Sequence, residues 1–255
     1  MIFADPKARL DAGAGIVPLS RPGVVRPRPA TERIKRLVRF ENVGTRYSGG
    51  REVLREVSFR LEPGSFCFLT GPSGAGKTSV LRLIFAAQKP TSGRVVIFDR
   101  DTATASRETL MRLRRRIGVV FQDFRLLDHL TAFDNVALPL RIAGGRDSEI
   151  RTHVNELLQW VGLGPLVSSF PAAFSRGERQ RLAVARSVVS RPSLLVADEP
   201  TESVDHSMEF RLMRLFEALN ELGTTVIVAT RKESLAAQYG HARLAIRGGR
   251  IGDSE

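Results

Sequence analysis

The residues best suited to chemistry form an octapeptide at positions 71–78, Gly-Pro-Ser-Gly-Ala-Gly-Lys-Thr. This segment fits the pattern G-x-x-x-x-G-K-[ST], in which backbone N–H groups surround phosphate oxygens. Gly71 and Gly76 allow the backbone to curl closely around a phosphate because no Cβ stands in the way. Lys77 is expected to reach the β- and γ-phosphates, and the Thr78 hydroxyl to ligate Mg²⁺. The octapeptide therefore predicts a nucleotide-binding loop.

The sequence on either side of this loop supplies the context that the motif requires. Residues 66–69 are an apolar run typical of a buried strand, and residues 79–87 have the apolar spacing of a helix. A strand, a glycine-rich loop and a helix in this order place phosphate at a helix N-terminus. The residues predicted to bind nucleotide here are Gly71, Pro72, Ser73, Gly74, Ala75, Gly76, Lys77, Thr78 and Ser79.

A second candidate site lies at residues 194–199, where the sequence Leu-Leu-Val-Ala-Asp-Glu ends an apolar strand in two carboxylates. Asp198 is expected to hold Mg²⁺, and Glu199 to polarise a water that attacks the γ-phosphate. Asp-Glu-Pro is also an ordinary turn after a strand. The phosphate-binding loop in the same chain favours the catalytic interpretation.

The length allows one large α/β domain, or one domain with a subdomain, and the cysteine content fits a reducing compartment. The chain has 255 residues, of which 42% are hydrophobic, and a single cysteine, Cys67, which excludes an internal disulfide. No apolar run approaches the roughly 20 residues of a membrane-spanning helix, and the N-terminus does not resemble a signal peptide. We therefore expect a cytoplasmic protein.

The chain is strongly basic, with a net charge of +12. This balance would attract anionic lipid headgroups or nucleic acid, although an arginine-rich solvated surface would give the same total. No zinc-finger or RNA-binding signature accompanies the charge, so a nucleic-acid partner is not expected.

Residues 1–36 differ from the rest, because they hold five of the 13 prolines and eight Lys/Arg against three acidic residues. This composition predicts a disordered basic tail, which either contacts a membrane surface or reflects a start codon placed too far upstream. From residue 37 onwards the pattern is that of a folded domain. Strands are predicted at 37–43, 52–60, 94–98, 117–121, 193–197 and 224–230, a helix at 107–116, and a mainly helical block at about 125–190 with a break at Pro171.

Residues 174–186 read Phe-Ser-Arg-Gly-Glu-Arg-Gln-Arg-Leu-Ala-Val-Ala-Arg and resemble the signature of ABC-transporter ATP-binding subunits, usually Leu-Ser-Gly-Gly-Glu/Gln. Other motifs of that family occur in the family's order. Tyr47 matches the aromatic that stacks on adenine, Gln122 the Q-loop glutamine, and residues 201–205 the D-loop. The resemblance covers roughly residues 37–251.

The resemblance implies an α/β fold, with a P-loop NTPase core on a mainly parallel sheet, an N-terminal antiparallel β subdomain and an inserted helical subdomain, together spanning residues 37–255. It also implies a head-to-tail homodimer that holds two ATP molecules, each between one subunit's P-loop and the other's signature. Ser175 and the Gly177 N–H would bind the γ-phosphate across that interface. Thr78, Gln122 and Asp198 would hold Mg²⁺, and Gln122 would also serve catalysis.

Within the family, residues 119–128, Thr131 and residues 135–140 most resemble the FtsE group, the ATP-binding subunits of FtsE–FtsX cell-division complexes. That group implies an FtsX-like integral membrane partner, a peripheral position on the cytoplasmic face of the inner membrane, and control of peptidoglycan hydrolysis. Subunits of lipoprotein-release and macrolide-type exporters share much of the pattern, so an exporter role stays open.

Two residues depart from the family pattern. Arg176 replaces the first glycine of the signature pair, and Arg231 stands where the family carries a histidine that contacts the γ-phosphate. An arginine supplies a charge-assisted hydrogen bond to the same phosphate, but its longer side chain changes the geometry. With Arg231 as a catalytic residue beside Glu199 and Gln122, we expect ATP binding and dimerisation to persist while turnover slows. The alternative is a nucleotide-gated module with little hydrolysis.

Overall fold

The computed structural model describes residues 37–46, 50 and 52–252. The predicted basic tail at 1–36 and the candidate adenine-stacking residue Tyr47 lie outside the described residues. Both therefore stay predictions.

The described residues form strands and helices that alternate along most of the chain. The strands are β1 (Val38–Arg46), β2 (Glu52–Leu61), β3 (Phe66–Thr70), β4 (Ser92–Ile97), β5 (Arg100–Asp101), β6 (Ile117–Val120), β7 (Leu194–Asp198), β8 (Thr225–Thr230), β9 (Ala242–Arg247) and β10 (Arg250–Gly252). The helices are α1 (Lys77–Ile84), α2 (Arg107–Arg114), α3 (Ala132–Ile142), α4 (Asp147–Trp160), α5 (Arg176–Val188), α6 (His206–Glu221) and α7 (Glu233–Tyr239).

The strands make two sheets of different character. The first has the order β2-β1-β4-β5 and is antiparallel throughout. The second has the order β10-β9-β3-β8-β7-β6, and its strands are parallel except at the β9–β10 edge. The predicted α/β fold, with a mainly parallel sheet and an antiparallel sheet formed largely from the N-terminal part of the chain, is confirmed.

The parallel sheet is buried on both faces, and alternate residues of each central strand face opposite apolar clusters. In β3, Phe66 and Phe68 pack with the helices α3–α6, whereas Cys67 and Leu69 pack with α1 and the antiparallel sheet. Near-continuous apolar strands are what a sheet covered on both sides requires. Burial also raises the pKa of the Cys67 thiol to about 12, so that this side chain stays protonated.

The helix after the glycine-rich loop is displaced from its predicted bounds. It was expected at residues 79–87, but it begins at Lys77 and ends at Ile84. It begins earlier because Gly76, with a φ of 112°, turns the loop directly into the first helical residue. It ends earlier because Ala86 adopts a φ of 54°, which no α-helix accommodates.

The block predicted at about 125–190 contains α3, α4 and α5, with single turns of 3₁₀ helix at Gly164–Leu166 and Pro171–Ala173. The second of these turns coincides with the predicted break at Pro171. The three helices share one apolar cluster with the parallel sheet rather than forming a separate core. Their helical character is as predicted, and their status as a subdomain stays a prediction.

A side chain from α5 fixes the loop that follows β6. Arg186 donates hydrogen bonds from Nη2 to the carbonyl of Phe124 at 2.7 Å and from Nη1 to that of Arg125 at 2.6 Å. Both of these loop residues have positive φ, 61° and 47°. A left-handed backbone at two successive non-glycine residues is unfavourable and persists only where its surroundings hold it. Arg186 therefore stabilises the turn that follows Gln122.

We expect Arg186→Met to lower the free energy of unfolding by about 2 kcal/mol, because it removes two charge-assisted hydrogen bonds to main-chain carbonyls. Arg112→Met is the matched control, since Arg112 pairs with Glu108 on exposed α2, and it should cost less than about 0.5 kcal/mol. Denaturant unfolding of both variants makes the comparison. Equal losses would show that the turn does not depend on Arg186.

Candidate functional site

Four parallel strands end at the same edge of the sheet, and candidate site residues lie at the end of each strand or just after it. The nucleotide-binding loop follows β3, Gln122 comes after β6, Asp198 closes β7, and Arg231 follows β8. Because carboxyl ends of parallel strands converge in this way, residues distant in sequence meet at one crevice.

The glycine-rich loop has the backbone that its sequence predicts. Gly71 has a φ of 149°, and a Cβ there would lie 2.2 Å from the carbonyl oxygen of Ile246. Only glycine fits this position. Gly74, with a φ of 76°, has open space where a Cβ would stand, on the side where a ligand could approach.

Lys77 curls back over the loop. Its Nζ donates to the carbonyls of Gly71 at 2.7 Å and Pro72 at 3.1 Å, and lies 3.7 Å from Glu199 Oε1. The side chain is 7% exposed. The ammonium thus lies inside the loop, and the Glu199 carboxylate, directly after β7, is its counter-charge.

Thr78 and Asp198 form a pair of oxygen donors. The Thr78 hydroxyl donates to Asp198 Oδ2 at 2.7 Å across the crevice. Burial raises the pKa of Asp198 above its usual value, opposed by this hydrogen bond and by Lys77. A hydroxyl and a carboxylate held together are ligands of the hard, oxygen-binding type that Mg²⁺ selects. The residues present therefore fit a magnesium ion.

Glu199 has the most constrained position in the site. Its φ is 48°, and its N–H donates to the Ala229 carbonyl at 2.9 Å. Glu199 Oε2 accepts from the Arg231 N–H at 3.2 Å, whereas the buried Oε1 has no hydrogen-bond donor among the described residues. Burial raises the pKa of this carboxyl above its usual value. A buried acceptor without a donor, on a strained backbone, is poised to accept one from a ligand or water.

Gln122 shares a cleft of about 450 Å³ with Thr78, Asp198 and Arg176. Its Nε2 donates to Glu202 Oε2 at 3.4 Å. The structure thus brings the predicted glutamine to the same crevice as the predicted magnesium ligands, with its amide turned towards a residue for which the sequence suggested no role.

The signature segment begins α5 through a capping box. Ser175 Oγ accepts from the Glu178 N–H at 3.3 Å, and Glu178 Oε2 accepts from the Ser175 N–H at 2.8 Å. In the described part of the chain, Ser175 and Gly177 do not line the cleft that holds Thr78 and Gln122. Their predicted contact is with a partner's nucleotide, which a single chain does not test.

Arg176 is the first residue of α5, and its φ is not among the positive values of the described non-glycine residues. It therefore carries none of the left-handed strain that replacing a glycine can cause. Its Nη2 lies 3.7 Å from Glu202 Oε2, and 66% of the side chain is exposed.

Glu202 is the site residue that sequence reasoning missed. It contacts Gln122 and Arg176, and its Oε1 accepts from Arg231 Nη2. It lay within the predicted D-loop at residues 201–205, but spacing alone gave it no partner. The available signal was the presence of two unexpected arginines, which need a counter-charge.

Comparisons with known proteins agree with these features. Residues 54–202 match the sequence profile of the ABC transporter family. The chain is 40% identical over 215 residues to "Cell division ATP-binding protein FtsE" of Escherichia coli K12, covering 84% of this chain and 97% of that protein. The protein of the same name from Bacillus subtilis is 38% identical over 215 residues, covering 94% of its length.

A solved ATP-binding cassette, a dimer in a post-hydrolysis state bound to ADP and Pi, matches the fold with a TM-score of 0.81 at 33% identity. The match covers 86% of this chain and 98% of that one. These findings confirm the resemblance drawn from the motifs.

The raised pKa of Glu199 predicts how a neutral substitute changes stability with pH. A carboxyl whose pKa is higher in the folded than in the unfolded chain favours folding below about pH 4.3, and that contribution is lost as pH rises through the folded-state pKa. Glu199→Gln cannot ionise, so its melting temperature should exceed that of the unmodified chain by about 3 °C at pH 8. The gap should close as pH falls towards about 4.3.

Scanning calorimetry of the nucleotide-free chain across this pH range checks the expectation. Glu108→Gln is the control, because Glu108 is 72% exposed on α2 and surface substitutions of this kind change stability by less than about 0.5 kcal/mol. A pH-independent gap for Glu199→Gln would contradict the burial argument.

Proposed function

Because this chain belongs to the ABC transporter family of ATP-binding proteins, we propose that it is the ATP-hydrolysing subunit of an FtsE–FtsX-like membrane complex that acts in cell division by regulating peptidoglycan hydrolysis. The membrane partner would be an FtsX-like integral membrane protein, and the chain would lie peripherally on the cytoplasmic face of the inner membrane. In the described residues, none of the helices has the length and apolarity to cross a bilayer.

One observation carries the ATPase part of this proposal. Lys77, the Thr78–Asp198 pair and Glu199 Oε1, which has no hydrogen-bond donor among the described residues, meet at one edge of the parallel sheet. A phosphate-binding ammonium, a pair of metal-ligating oxygens and a buried general base are the components that hydrolysis of a phosphoanhydride requires.

Each residue then has a role. The loop at residues 71–78, the Lys77 ammonium and Ser79 in the first turn of α1 bind the nucleotide phosphates. Lys77 contacts the β- and γ-phosphates. Thr78, Asp198 and Gln122 would hold Mg²⁺, which when bound neutralises developing charge on the phosphates. Glu199 Oε1 accepts a hydrogen bond from the attacking water, orients it towards the γ-phosphate and takes its proton as the bond to phosphorus forms.

Arg231 lies beside this base, with its Nε 3.5 Å from Glu199 Oε1. In this position it would donate a hydrogen bond to a γ-phosphate bound by Lys77, since both cations form ion pairs with Glu199 Oε1. The same contact also restrains the base. Turnover is therefore slower than with a shorter neutral side chain at this position.

The chain works as a head-to-tail homodimer. Ser175 and the Gly177 N–H of one subunit would contact the γ-phosphate bound by the P-loop of the other, and Tyr47 would stack on adenine. The FtsE-named relatives, which the chain matches over nearly their whole length, support the cell-division assignment. Identifying the membrane protein that co-purifies with the chain distinguishes a cell-division complex from an exporter.

Glu199→Gln should lower the steady-state rate of ATP hydrolysis by about 100-fold or more, because glutamine cannot accept a proton. ATP affinity should persist, since Lys77 and the loop are unchanged. Phosphate release and nucleotide binding are measured on the purified chain, alone and with its reconstituted membrane partner. Glu108→Gln serves as control and should keep full activity. Tight ATP binding by the unmodified chain without turnover would instead identify a nucleotide-gated module.

Arg231→His should raise the rate several-fold, because the shorter ring releases Glu199 Oε1 while still reaching towards the γ-phosphate. The same phosphate-release assay measures it. Arg112→His on α2 controls for the loss of one surface guanidinium and should leave the rate unchanged. A rate for Arg231→His no higher than that of the unmodified chain would show that Arg231 does not slow turnover.

A further inference from the structure

Glu202 stands at the meeting point of three segments. Its Oε1 accepts a hydrogen bond from Arg231 Nη2, after β8, and its Oε2 lies 3.7 Å from Arg176 Nη2, at the start of α5. The amide of Gln122, after β6, donates to the same Oε2 at 3.4 Å. The carboxylate is one-quarter exposed. No step of the proposed hydrolysis uses it.

The Arg231 guanidinium depends on this carboxylate for its position. The side chain is 47% exposed and follows the end of a strand, so it has room to swing into solvent. Among the described residues, its anionic contacts are Glu202 and Glu199, and Glu199 Oε1 also forms an ion pair with Lys77. A long flexible side chain loses conformational entropy when it is fixed in one position. Because the Glu202 carboxylate already holds the arginine, this entropy is lost before a ligand binds and does not weaken the binding.

The arrangement places two cations around one buried oxygen. Lys77 Nζ is 3.7 Å and Arg231 Nε is 3.5 Å from Glu199 Oε1. A terminal phosphate bound by Lys77 would therefore lie near the guanidinium, because both cations contact the same carboxylate oxygen. Glu202 would not touch that phosphate, because two anions in contact repel. It acts on the phosphate through the arginine.

We propose that Glu202 is a positioning residue that holds the Arg231 guanidinium for recognition of the terminal phosphate of a nucleoside triphosphate. The inference rests on the proposed function, since it takes ATP as the ligand of the P-loop. It adds that discrimination between nucleoside triphosphate and diphosphate depends on an ion pair between the loops that follow β7 and β8. Arg176 and Gln122 share the carboxylate and keep it in place.

The test uses nucleotide binding rather than turnover. Affinities for the non-hydrolysable triphosphate AMP-PNP and for ADP are measured by calorimetry, with Mg²⁺ present. Glu202→Gln should weaken AMP-PNP binding about tenfold, the value of one charge-assisted hydrogen bond, and leave ADP affinity within about twofold. Glu202→Asp keeps the charge and should weaken AMP-PNP binding less than Glu202→Gln does. It replaces the glutamine variant in this test if that variant folds poorly. Glu108→Gln should change neither affinity.

A second pair of variants separates positioning from a structural role. Arg231→Ala should weaken AMP-PNP binding at least as much as Glu202→Gln does, and adding Glu202→Gln to it should cause no further loss. Equal weakening of ADP and AMP-PNP, or a Glu202 effect that persists without Arg231, would overturn the inference. Tighter AMP-PNP binding by Glu202→Gln would overturn it too, since Glu202 would then hold the arginine away from the phosphate.

The two proposals fail in different ways. An unmodified chain that prefers AMP-PNP to ADP through Glu202 and Arg231 but does not hydrolyse ATP would refute the ATPase function and support the positioning role. Turnover that depends on Glu199, with triphosphate preference unaffected by Glu202, would do the reverse.

Discussion

The register of four parallel strands determines where the proposed catalytic groups lie. Thr70 pairs with Thr230, Asp198 with Ala229, and Val120 with Ala197, so that β3, β8, β7 and β6 end at nearly one level. This register is enforced by apolar clusters on both faces, because a slip of one residue would move each side chain to the opposite face. Burial of the strands thus fixes the distances between loops that are far apart in sequence.

The crevice at this edge concentrates charge that the nucleotide-free chain must balance internally. Glu199 forms ion pairs with Lys77 and Arg231, and Glu202 forms ion pairs with Arg231 and Arg176. Removing ions from water is unfavourable unless partners compensate. Compensation is incomplete here, because Glu199 Oε1 has no hydrogen-bond donor among the described residues and burial raises the pKa of both Asp198 and Glu199. Incomplete pairing favours ligand binding, because a phosphate that displaced contacts in a fully paired cluster would gain little free energy.

Much of the fold and part of the site followed from local sequence signals. The glycine-rich loop was predictable because the left-handed backbone at Gly71 and Gly76 excludes other residues, and the two carboxylates followed from an apolar strand with an acidic end. Helix bounds were less accurate: the strained Ala86 that ends α1 is imposed by packing and has no signal of its own. Glu202 was missed for a related reason. Its two arginine partners lie 26 and 29 positions away in opposite directions of the chain, and only the folded structure brings them together.

The substitution at position 231 makes sense only together with residue 202. A guanidinium is charged at every accessible pH and carries a long stem, so beside a buried carboxylate it would either collapse onto Glu199 or leave for solvent. Glu202 offers a second anion at the distance the longer side chain reaches, which divides the guanidinium between two carboxylates. Glu199 therefore shares the guanidinium with Glu202 instead of pairing with it alone. An arginine in this position is thus compatible with the proposed role of Glu199 as a base, because the neighbouring loop carries an acid.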